Sequence, residues 1–398
     1  MSRRPHRFPR ARIGIAALVA VAAAAAIFFL RPRQSIAPGA FAGRNLLFVT
    51  LDTLRPDRLG SYGSKAGFTP YLDRLSSEGI RFERVLAHVP LTLPAHTSIF
   101  TSLFPTEHGV HDNGTFRVGA SFPTLATTLQ SAGYQTGAFV GAFVLDARFG
   151  LNRGFDVYDD YYGEKRGLWS LAQVERPADA VVSSAERWIE KARAPWFAWV
   201  HLYDAHAPFR PPPELARKFP NDLYGAEVAF VDATLGAFLD RLSASGRLNG
   251  TVVVVLGDHG ESLGEHGERN HGTFAYDSTL LVPWILWARG LRPQVFTDTV
   301  RQVDVMPTLL DLLAVPSPQR IAGQSLRPYL TGESRYEVPV SYFEALNAHL
   351  TRDWAPLTGV VQDGHKLIRL PTSELYDLAS DPKEKENLYH QKTGLARS

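Results

Sequence analysis

The sequence predicts an α/β fold: a mostly parallel β-sheet covered by helices on both faces, with a small antiparallel subdomain at the C-terminal end. Short apolar runs alternate with amphipathic runs of helical length through most of the 398 residues. The apolar runs show no polar alternation, which is typical of buried parallel strands. From about Val338 the pattern changes to short strands joined by turns. The hydrophobic content of 45% suffices for one large domain with a smaller one beside it.

The first half of the predicted sheet begins with the apolar run NLLFVTL, which we expect to be a buried strand ending at Leu51. The segment TPYLDRLSSEG predicts a helix closed by Gly79, because glycine commonly follows the last helical residue. A second helix, SFPTLATTLQSAG, is expected to end at Gly133, with the strand YQTGAFVG directly after it. This alternation favours parallel strands joined by crossover helices.

The second half repeats the alternation with longer elements. The amphipathic segment PADAVVSSAERWIEKARA predicts a helix, and PWFAWVHL predicts the strand that follows it. A long helix, AEVAFVDATLGAFLDRLSASG, precedes the strand NGTVVVVLGDHGE, whose end is polar. One more strand, LVPWILWARG, follows. The short segments PVSYFEA, LTGVVQDGHKLIRL and SELYDL predict the antiparallel sheet of the tail.

Four parts of the chain differ in composition. We expect a signal-anchor or transmembrane segment over residues 1–35, a linker over 36–44, a catalytic α/β domain over 45–335, and a small α+β subdomain with a polar tail over 336–398. Residues 13–30 form an uncharged apolar run near the lower length limit for crossing a bilayer. Five arginines precede this run and two follow it, so the positive-inside bias places the N-terminus in the cytoplasm.

This pattern predicts a single-pass protein of the inner (cytoplasmic) membrane, with its catalytic domain in the periplasm or outside the cell. The alternative is a secreted protein whose signal peptide is cleaved, for which AFA before Gly43 is a weak signal. The sequence contains no cysteine, which excludes disulfides, thiolate metal sites and a cysteine nucleophile. Seven of the 42 basic residues lie in the first 33 positions, and the remaining 35 face 40 acidic residues. We therefore expect no binding of nucleic acid.

Three predicted strands end in side chains that can hold a metal ion or an anion. Ligands bind beyond the carboxyl ends of the strands in open parallel sheets, so these side chains are expected to share one site. Taken singly, such an aspartate also fits a helix cap, and such a histidine fits a packing residue. The residues at the three strand ends are Asp52; His201, Asp204 and His206; and Asp258 and His259.

The segment TLPAHTSIFTSLF predicts a helix with Pro94 in its first turn, where the missing N–H costs little. Thr92 is then expected just before the helix, beside its unpaired N–H groups, where a sulfate or phosphate group is favoured. A threonine hydroxyl needs a metal or a base to become a nucleophile. His96 lies one turn further on and is expected to face the same site. The alternative is that Thr92 is only an N-cap.

Several motifs together resemble the sulfatase family of the alkaline phosphatase superfamily, from Asn45 to about Tyr389. They are NLLFVTLDTLRPDRLGSYG, TPYLDRLSSEGIRFERV, LPAHTSIFTSLFPTEHGV, GDHGESLGEHG with HGTFAYDSTLLVPWIL, and ELYDLASDPKEKENLY. The resemblance implies an alkaline-phosphatase-like fold. It places Asp52, Asp258 and His259 on the family's metal ligands. It places Thr92 on the nucleophile, whose hydroxyl oxygen would be a further ligand.

The resemblance also implies roles around the transferred group. His206 falls on a histidine that contacts this group, and His271 takes the place where many sulfatases have a substrate-binding lysine. We predict catalytic roles for both, together with Thr92 and His96. Further substrate-binding candidates are His111, Asn113, His201 and Asp204.

The chain departs from the family pattern at several positions. The signature Cys- or Ser-x-Pro-x-Arg, whose first residue becomes formylglycine, here begins with Thr92 and has His96 in place of the arginine. Thr53 stands where the family has a second metal-binding aspartate. The segment VGAFVL over Val140–Leu145 replaces the GKWHLG segment of the family. Aspartate, threonine, aspartate and histidine together are similar to relatives that transfer phosphorus groups by a threonine nucleophile with Zn²⁺ or Mn²⁺.

These observations predict a metal-dependent hydrolase of sulfate or phosphate esters, in which Thr92 attacks in line. The expected cofactor is one divalent ion: Ca²⁺ by family resemblance, with Zn²⁺ or Mn²⁺ favoured by the smaller number of carboxylates. One alternative is a membrane-anchored phospho-group transferase or a phosphodiesterase of the same superfamily. A second alternative is a non-catalytic protein that binds sulfated or phosphorylated glycans.

Overall fold

The computed structural model describes residues 36–162 and 176–397. The predicted membrane segment over residues 13–30 lies outside these ranges. Within them, none of the helices combines the length and the apolar character needed to cross a bilayer.

The larger sheet has eight strands in the order β4-β3-β5-β1-β6-β7-β2-β8. Every neighbouring pair is parallel except the two that involve β7, which is antiparallel to both β6 and β2. The predicted mostly parallel sheet is thus confirmed. The strands are β1 (Asn45–Leu51), β2 (Ile80–Leu86), β3 (Gln135–Val140), β4 (Val157–Asp159), β5 (Trp196–Leu202), β6 (Thr251–Gly257), β7 (Leu281–Ala288) and β8 (Gln294–Arg301).

Helices cover both faces of this sheet, as predicted, because alternate residues of each central strand face opposite sides. In β1, Phe48 packs into one apolar core, and Leu47 and Val49 pack into the other. The α-helices are α1 (Pro70–Glu78), α2 (Thr92–Thr101), α3 (Pro105–His108), α4 (Leu125–Ser131), α5 (Ala178–Ile189), α6 (Pro213–Lys218), α7 (Leu223–Ala244), α8 (Asp277–Leu280), α9 (Val305–Leu312), α10 (Arg327–Leu330), α11 (Asn347–Arg352) and α12 (Thr393–Arg397).

The tail forms a separate four-stranded antiparallel sheet in the order β12-β11-β10-β9, which confirms the predicted C-terminal subdomain. Its last three strands follow one another through short connections, so local pairing is sufficient to build it. The strands are β9 (Ser341–Ala345), β10 (Leu357–Gln362), β11 (His365–Arg369) and β12 (Glu374–Asp377).

The three central strands β1, β5 and β6 are buried along their whole length and determine where the functional residues meet. Thr50 of β1 is in register with His201 of β5, and Leu51 is in register with Gly257 of β6. The next residues along β1 and β6, Asp52 and Asp258, therefore emerge side by side at one edge of the sheet.

Strands β2, β4 and β8 were not predicted. Strand β8, QVFTDTVR, exposes several polar side chains at the edge of the sheet, so it lacks the apolar run of the central strands. Strand β2, IRFERVL, carries three charged residues and is recognised as a strand only through its pairing with β7 and β8. Edge strands that are short or polar, here β4 and β8, give a weak sequence signal because part of their surface faces solvent.

Candidate active site

The ends of β1 and β6 meet the first turn of α2. The side chains of Asp52, Thr92, Asp258 and His259 are each at most 1% exposed there. Thr92 is the first helical residue, and Leu91, with extended backbone angles, is the N-cap. The prediction that Thr92 lies just before the helix was wrong by one position, because Leu91 makes the transition into helix. The threonine hydroxyl nevertheless lies where the helix presents its unpaired N–H groups.

The polar atoms of these four residues surround one point. Thr92 Oγ1 donates a hydrogen bond of 3.2 Å to Asp52 Oδ2 and lies 3.4 Å from His259 Nε2. His259 Nε2 is 3.6 Å from Asp258 Oδ2 and 4.0 Å from Asp52 Oδ1. Ligand atoms that share an ion at about 2.0–2.6 Å stand about 3–4 Å apart, so the geometry suits one divalent cation.

Unpaired carboxylate oxygens support this reading of the geometry. Within the described structure, Asp52 Oδ1 and Asp258 Oδ2 are buried without a hydrogen-bond partner. A buried carboxylate oxygen without a partner is costly unless a cation or a proton is bound to it. Burial raises the pKa of Asp52 to about 7 and also raises the pKa of Asp258, which reflects the same uncompensated charge. The two carboxylates, an imidazole and a hydroxyl form a donor set that fits a divalent ion.

Thr53 adopts a backbone conformation that is rare for a β-branched residue, with φ of +53°. Its amide donates to Asp258 Oδ1 over 3.1 Å, and its hydroxyl donates to the carbonyl of Ala205 over 2.8 Å. The strained conformation thus holds Asp258 in place, while the Thr53 hydroxyl is engaged by a backbone carbonyl. Strain of this kind is concentrated at functional sites.

His96 lies one turn after Thr92 on α2 and is fully buried. Its Nδ1 donates to the carbonyl oxygen of Thr92 over 2.8 Å, and its Nε2 lies 3.0 Å from Thr50 Oγ1. Burial lowers the pKa of His96 to about 3, so the ring is neutral at neutral pH. His96 thus contacts the backbone of Thr92, one turn earlier on the same helix.

His206 and His271 form a pair beside the carboxylate cluster. Their ring centroids are 5.0 Å apart, and the ring of His271 is 4.5 Å from that of His259. The Nδ1 atom of His271 is 3.1 Å from Glu261 Oε1, a carboxylate that is fully buried. Burial lowers the pKa of His206 to about 3 and that of His271 to about 4, so each ring offers one N–H and one lone pair.

The four candidate substrate-binding residues occupy different surroundings. His201 is fully buried, with its Nε2 atom 3.2 Å from Asp52 Oδ2, which brings it into the carboxylate cluster. Asp204 accepts the amide N–H of Ala178 at the start of α5.

The other two candidates lie on the loop that faces α2. Asn113 Oδ1 accepts the amide N–H of Leu93 over 2.9 Å, so its side chain satisfies a donor in the first turn of the helix. His111, partly exposed, places its Nδ1 atom 2.6 Å from Oε1 of Glu344, a residue of the C-terminal sheet. Asn113 therefore lies beside the first turn of α2, His111 lies beside the C-terminal sheet, and both are engaged with protein groups.

Glu261 and Thr50 also lie at this site and were not predicted from the sequence. Glu261 lies three residues after Asp258 in the segment GDHGES, so an acidic residue within a polar strand end was a signal that could have identified it. Thr50 lies inside an apolar strand, where its hydroxyl accepts the indole N–H of Trp199 over 2.9 Å. Such a residue looks like an ordinary strand threonine until the fold places His96 beside it.

Comparisons with known proteins agree with the fold. The profile of the family described as Sulfatase matches residues 44–315, and that described as N-sulphoglucosamine sulphohydrolase, C-terminal, matches residues 264–396. The chain is 27% identical to the uncharacterized sulfatase YidJ of Escherichia coli strain K12 (86% of this chain, 82% of the relative). It is 23% identical to an arylsulfatase of Clostridium perfringens (86% of this chain, 90% of the relative).

Two solved structures share the fold at about one fifth sequence identity. A protein in complex with its substrate D-glucosamine-2-N,6-O-disulfate gives a TM-score of 0.77 at 20% identity, covering 89% of this chain and 96% of that one. The phosphonate monoester hydrolase of Agrobacterium radiobacter gives a TM-score of 0.75 at 20% identity, covering 89% of this chain and 93% of that one.

The sheet, the helix that begins at the threonine and the carboxylate–imidazole cluster at the strand ends define an ester hydrolase of the alkaline phosphatase superfamily. The Sulfatase profile covers more than half of the residues. The chain belongs to the sulfatase family.

Proposed function

We propose that this chain is a divalent-metal-dependent hydrolase of sulfate or phosphate esters, with Thr92 as its nucleophile. The observation that carries the proposal is the position of Thr92 Oγ1, 3.2 Å from Asp52 Oδ2 and 3.4 Å from His259 Nε2 at the N-terminus of α2. An oxygen in that position faces both the carboxylate–imidazole cluster and the helix N–H groups, where a tetrahedral anion is favoured.

Asp52, Asp258, His259 and the Thr92 hydroxyl would hold the ion. When bound, the ion lowers the pKa of the Thr92 hydroxyl and offsets negative charge on the substrate. Membership of the family favours Ca²⁺, whereas two carboxylates with an imidazole are a donor set that also suits Zn²⁺ or Mn²⁺.

Thr92 then forms a bond from its hydroxyl oxygen to the sulfur or phosphorus atom as the bond to the ester oxygen breaks. The departing alcohol takes up the proton that Thr92 releases, and the group remains covalently attached to the threonine. His206 or His271, both neutral at neutral pH, accepts a proton from a water molecule that attacks the attached group. Water thus restores Thr92 and releases sulfate or phosphate.

The experiment uses the purified full-length protein with an aryl sulfate, an aryl phosphate and a bis-aryl phosphodiester, each with and without a chelator. Thr92→Ala is expected to lower kcat at least 100-fold, and Thr92→Ser is expected to retain part of the activity because it keeps the hydroxyl. Thr97→Val is the matched control: Thr97 lies on the same helix, and its hydroxyl donates to the Leu93 carbonyl.

Three outcomes would overturn parts of this proposal. A loss below tenfold in Thr92→Ala removes Thr92 as the nucleophile. Rates that are unaffected by the chelator, in protein that copurifies with no metal, remove the metal-dependent mechanism. Transfer of the group to an added alcohol in preference to water would identify a transferase.

The place of action is part of the same proposal. The apolar run over residues 13–30, with arginines mainly before it, supports a single-pass anchor in the inner membrane and a catalytic domain on its outer side. Fractionation of cells that express the full chain tests this, because an anchored protein remains with the membranes and a cleaved one does not.

A further inference from the structure

The strand that leads to two of the candidate metal ligands loses one of its neighbours just before the site. Strand β6 pairs with β7 only as far as Leu256. Beyond that pair, β7 presents Pro283, whose Cδ atom would lie 3.0 Å from a Cβ placed on Gly257. Proline has no backbone N–H, so it offers no donor to the Gly257 carbonyl. The strand end that carries Asp258 and His259 therefore needs a donor from elsewhere.

The side chain of Gln302 supplies this donor. Gln302 is fully buried and belongs to the short turn Gln302–Asp304, which follows β8. Its Nε2 atom donates to the carbonyl oxygen of Gly257 over 3.0 Å, and also to the carbonyl oxygen of Asp258. The two N–H bonds of one amide group thus match two successive carbonyls. This contact fixes the peptide groups on both sides of Asp258.

The two carbonyls also determine how the amide of Gln302 is oriented. If its nitrogen and oxygen exchanged places, Oε1 would face two carbonyl oxygens, which would repel it. In the observed orientation Oε1 is buried and, among the described residues, finds no hydrogen-bond partner. An unpaired buried oxygen is costly. The bonds from Nε2 offset this cost, and both of them hold the segment that carries Asp258.

The backbone at this point determines where the Asp258 carboxylate lies. Its Oδ1 accepts the amide N–H groups of Thr53 (3.1 Å) and His259 (2.7 Å). Its Oδ2, 3.6 Å from His259 Nε2, makes no hydrogen bond in the described structure. The sheet itself holds Asp258 weakly, since its amide N–H reaches the carbonyl of Leu51 only over 3.4 Å. The contact with Gln302 is therefore the shorter of the two backbone supports.

The turn that carries Gln302 is fixed independently of this side chain. Ser102, the residue after the last turn of α2, donates its hydroxyl to the carbonyl of Val303 over 2.6 Å. Arg301 donates to Asp304 through two charged hydrogen bonds, of 2.7 Å and 3.1 Å. Because the turn is anchored by these contacts, Gln302 can act as a rigid support for the end of β6.

We propose that Gln302 is a positioning residue of the metal site, which orients Asp258 and His259 through their backbone. This inference rests on the proposed function, because these two residues would hold its ion. Groups that orient metal ligands typically contribute about 10–100-fold to the affinity for the metal. Since Gln302 acts through the ligands, its loss weakens the binding of the ion, and kcat falls only as far as the site loses its ion.

The test measures the affinity of the full-length protein for the ion alone. Protein stripped with a chelator is titrated in a calorimeter with Ca²⁺, Zn²⁺ and Mn²⁺, in separate experiments. Gln302→Met keeps the length of the side chain and removes the donor. Its Kd is expected to rise about 10–100-fold for the ion that the wild type binds.

Ser102→Ala is the matched control for this variant. It removes a buried hydrogen bond to the same turn without touching β6. We therefore expect it to lower the melting temperature, as Gln302→Met does, and to leave Kd within about threefold of the wild-type value.

The outcomes separate this inference from the proposed function. A Kd of Gln302→Met within about threefold of the wild type overturns the positioning role and leaves the proposed function standing. Equal weakening by Gln302→Met and Ser102→Ala shows that the turn supports only the fold, and also overturns the inference. A wild-type chain that binds none of the three ions overturns both. If Gln302→Met does not fold, as judged by circular dichroism, Gln302→Asn decides by the same measure, because its amide is too short to reach both carbonyls.

Discussion

At the scale of single residues, the position of Glu261 beside His271 determines which nitrogen of the histidine can act. The Nδ1 atom of His271 lies 3.1 Å from Glu261 Oε1, so Glu261 in its ionised form accepts the Nδ1–H and leaves the lone pair on Nε2. Burial raises the pKa of Glu261 to about 8, and its second oxygen has no hydrogen-bond partner in the described structure. Glu261 is thus a positioning residue that fixes the tautomer of His271.

Glu261→Gln is expected to lower kcat about tenfold or more with little change in KM, because His271 loses the group that fixes its tautomer. A positioned proton-transfer group contributes about 10²–10⁴-fold to a rate, and loss of its orientation alone should remove only part of that contribution. Steady-state kinetics with an aryl ester measure it. Glu265→Gln is the control, since Glu265 lies in the same loop and pairs with Arg55. Equal losses in the two variants would show that Glu261 supports only the loop.

At the scale of elements, the N-terminus of α2 is capped by a side chain from outside the helix. Asn113 Oδ1 accepts the amide N–H of Leu93. The N-cap residue itself, Leu91, makes no side-chain hydrogen bond to the helix. Asp112 Oδ1 accepts both the Asn113 amide N–H and the Asn347 side-chain amide, which connects the loop to α11. The first turn of α2, and the threonine in it, is therefore held by a loop and by the C-terminal subdomain.

Asn113→Ala is expected to destabilise the protein by about 1–2 kcal/mol, because the buried Leu93 N–H loses its acceptor. Asn113→Asp is expected to keep the stability, since it retains an acceptor and adds a negative charge near a helix N-terminus. The same charge lies near the site for an anion, so KM should rise in Asn113→Asp. Urea unfolding and steady-state kinetics measure the two effects. Equal stability of Asn113→Ala and the wild type would contradict the role of the cap.

The sequence predicts the elements that are apolar and long, and it places the strand ends correctly. The runs that became β1, β5 and β6 are recognisable because burial on both faces requires uninterrupted apolar residues. The strained conformation of Thr53 and the contact between His201 and Asp52 depend on strands that are distant in sequence. No local pattern encodes which of several strand-end histidines turns inward.

At the scale of the whole molecule, a buried cluster of charges joins the C-terminal sheet to the larger domain. Lys366 of β11 is fully buried, with its Nζ atom 3.0 Å from Asp277 Oδ1 and 2.7 Å from Glu384 Oε1. Arg84 of β2 pairs with the other oxygen of Asp277 over 3.1 Å. Because Asp277 begins α8 shortly after His271, the cluster connects the tail of the chain to the loop that carries this histidine.

Lys366→Met is expected to destabilise the protein by about 3–5 kcal/mol, since it leaves buried carboxylates without their cation. The double variant Lys366→Met/Glu384→Gln removes one of these charges and is expected to recover part of the loss. Burial already raises the pKa of Glu384, and without Lys366 that pKa rises further. A carboxyl group whose pKa is higher in the folded than in the unfolded protein binds its proton preferentially in the folded state, so stability increases as the pH falls.

The difference in melting temperature between Lys366→Met and the wild type should therefore be larger at pH 8 than at pH 5.5. The double variant should show a weaker dependence on pH, because glutamine does not titrate. Thermal unfolding followed by circular dichroism at the two pH values measures both effects. A constant difference would mean that the lost stability comes from packing of the lysine stem, which extends past the ring of Phe343 with Nζ 5.2 Å from its centroid. In that case apolar contact holds the two sheets together, and the charges determine only the orientation of the C-terminal sheet against the larger domain.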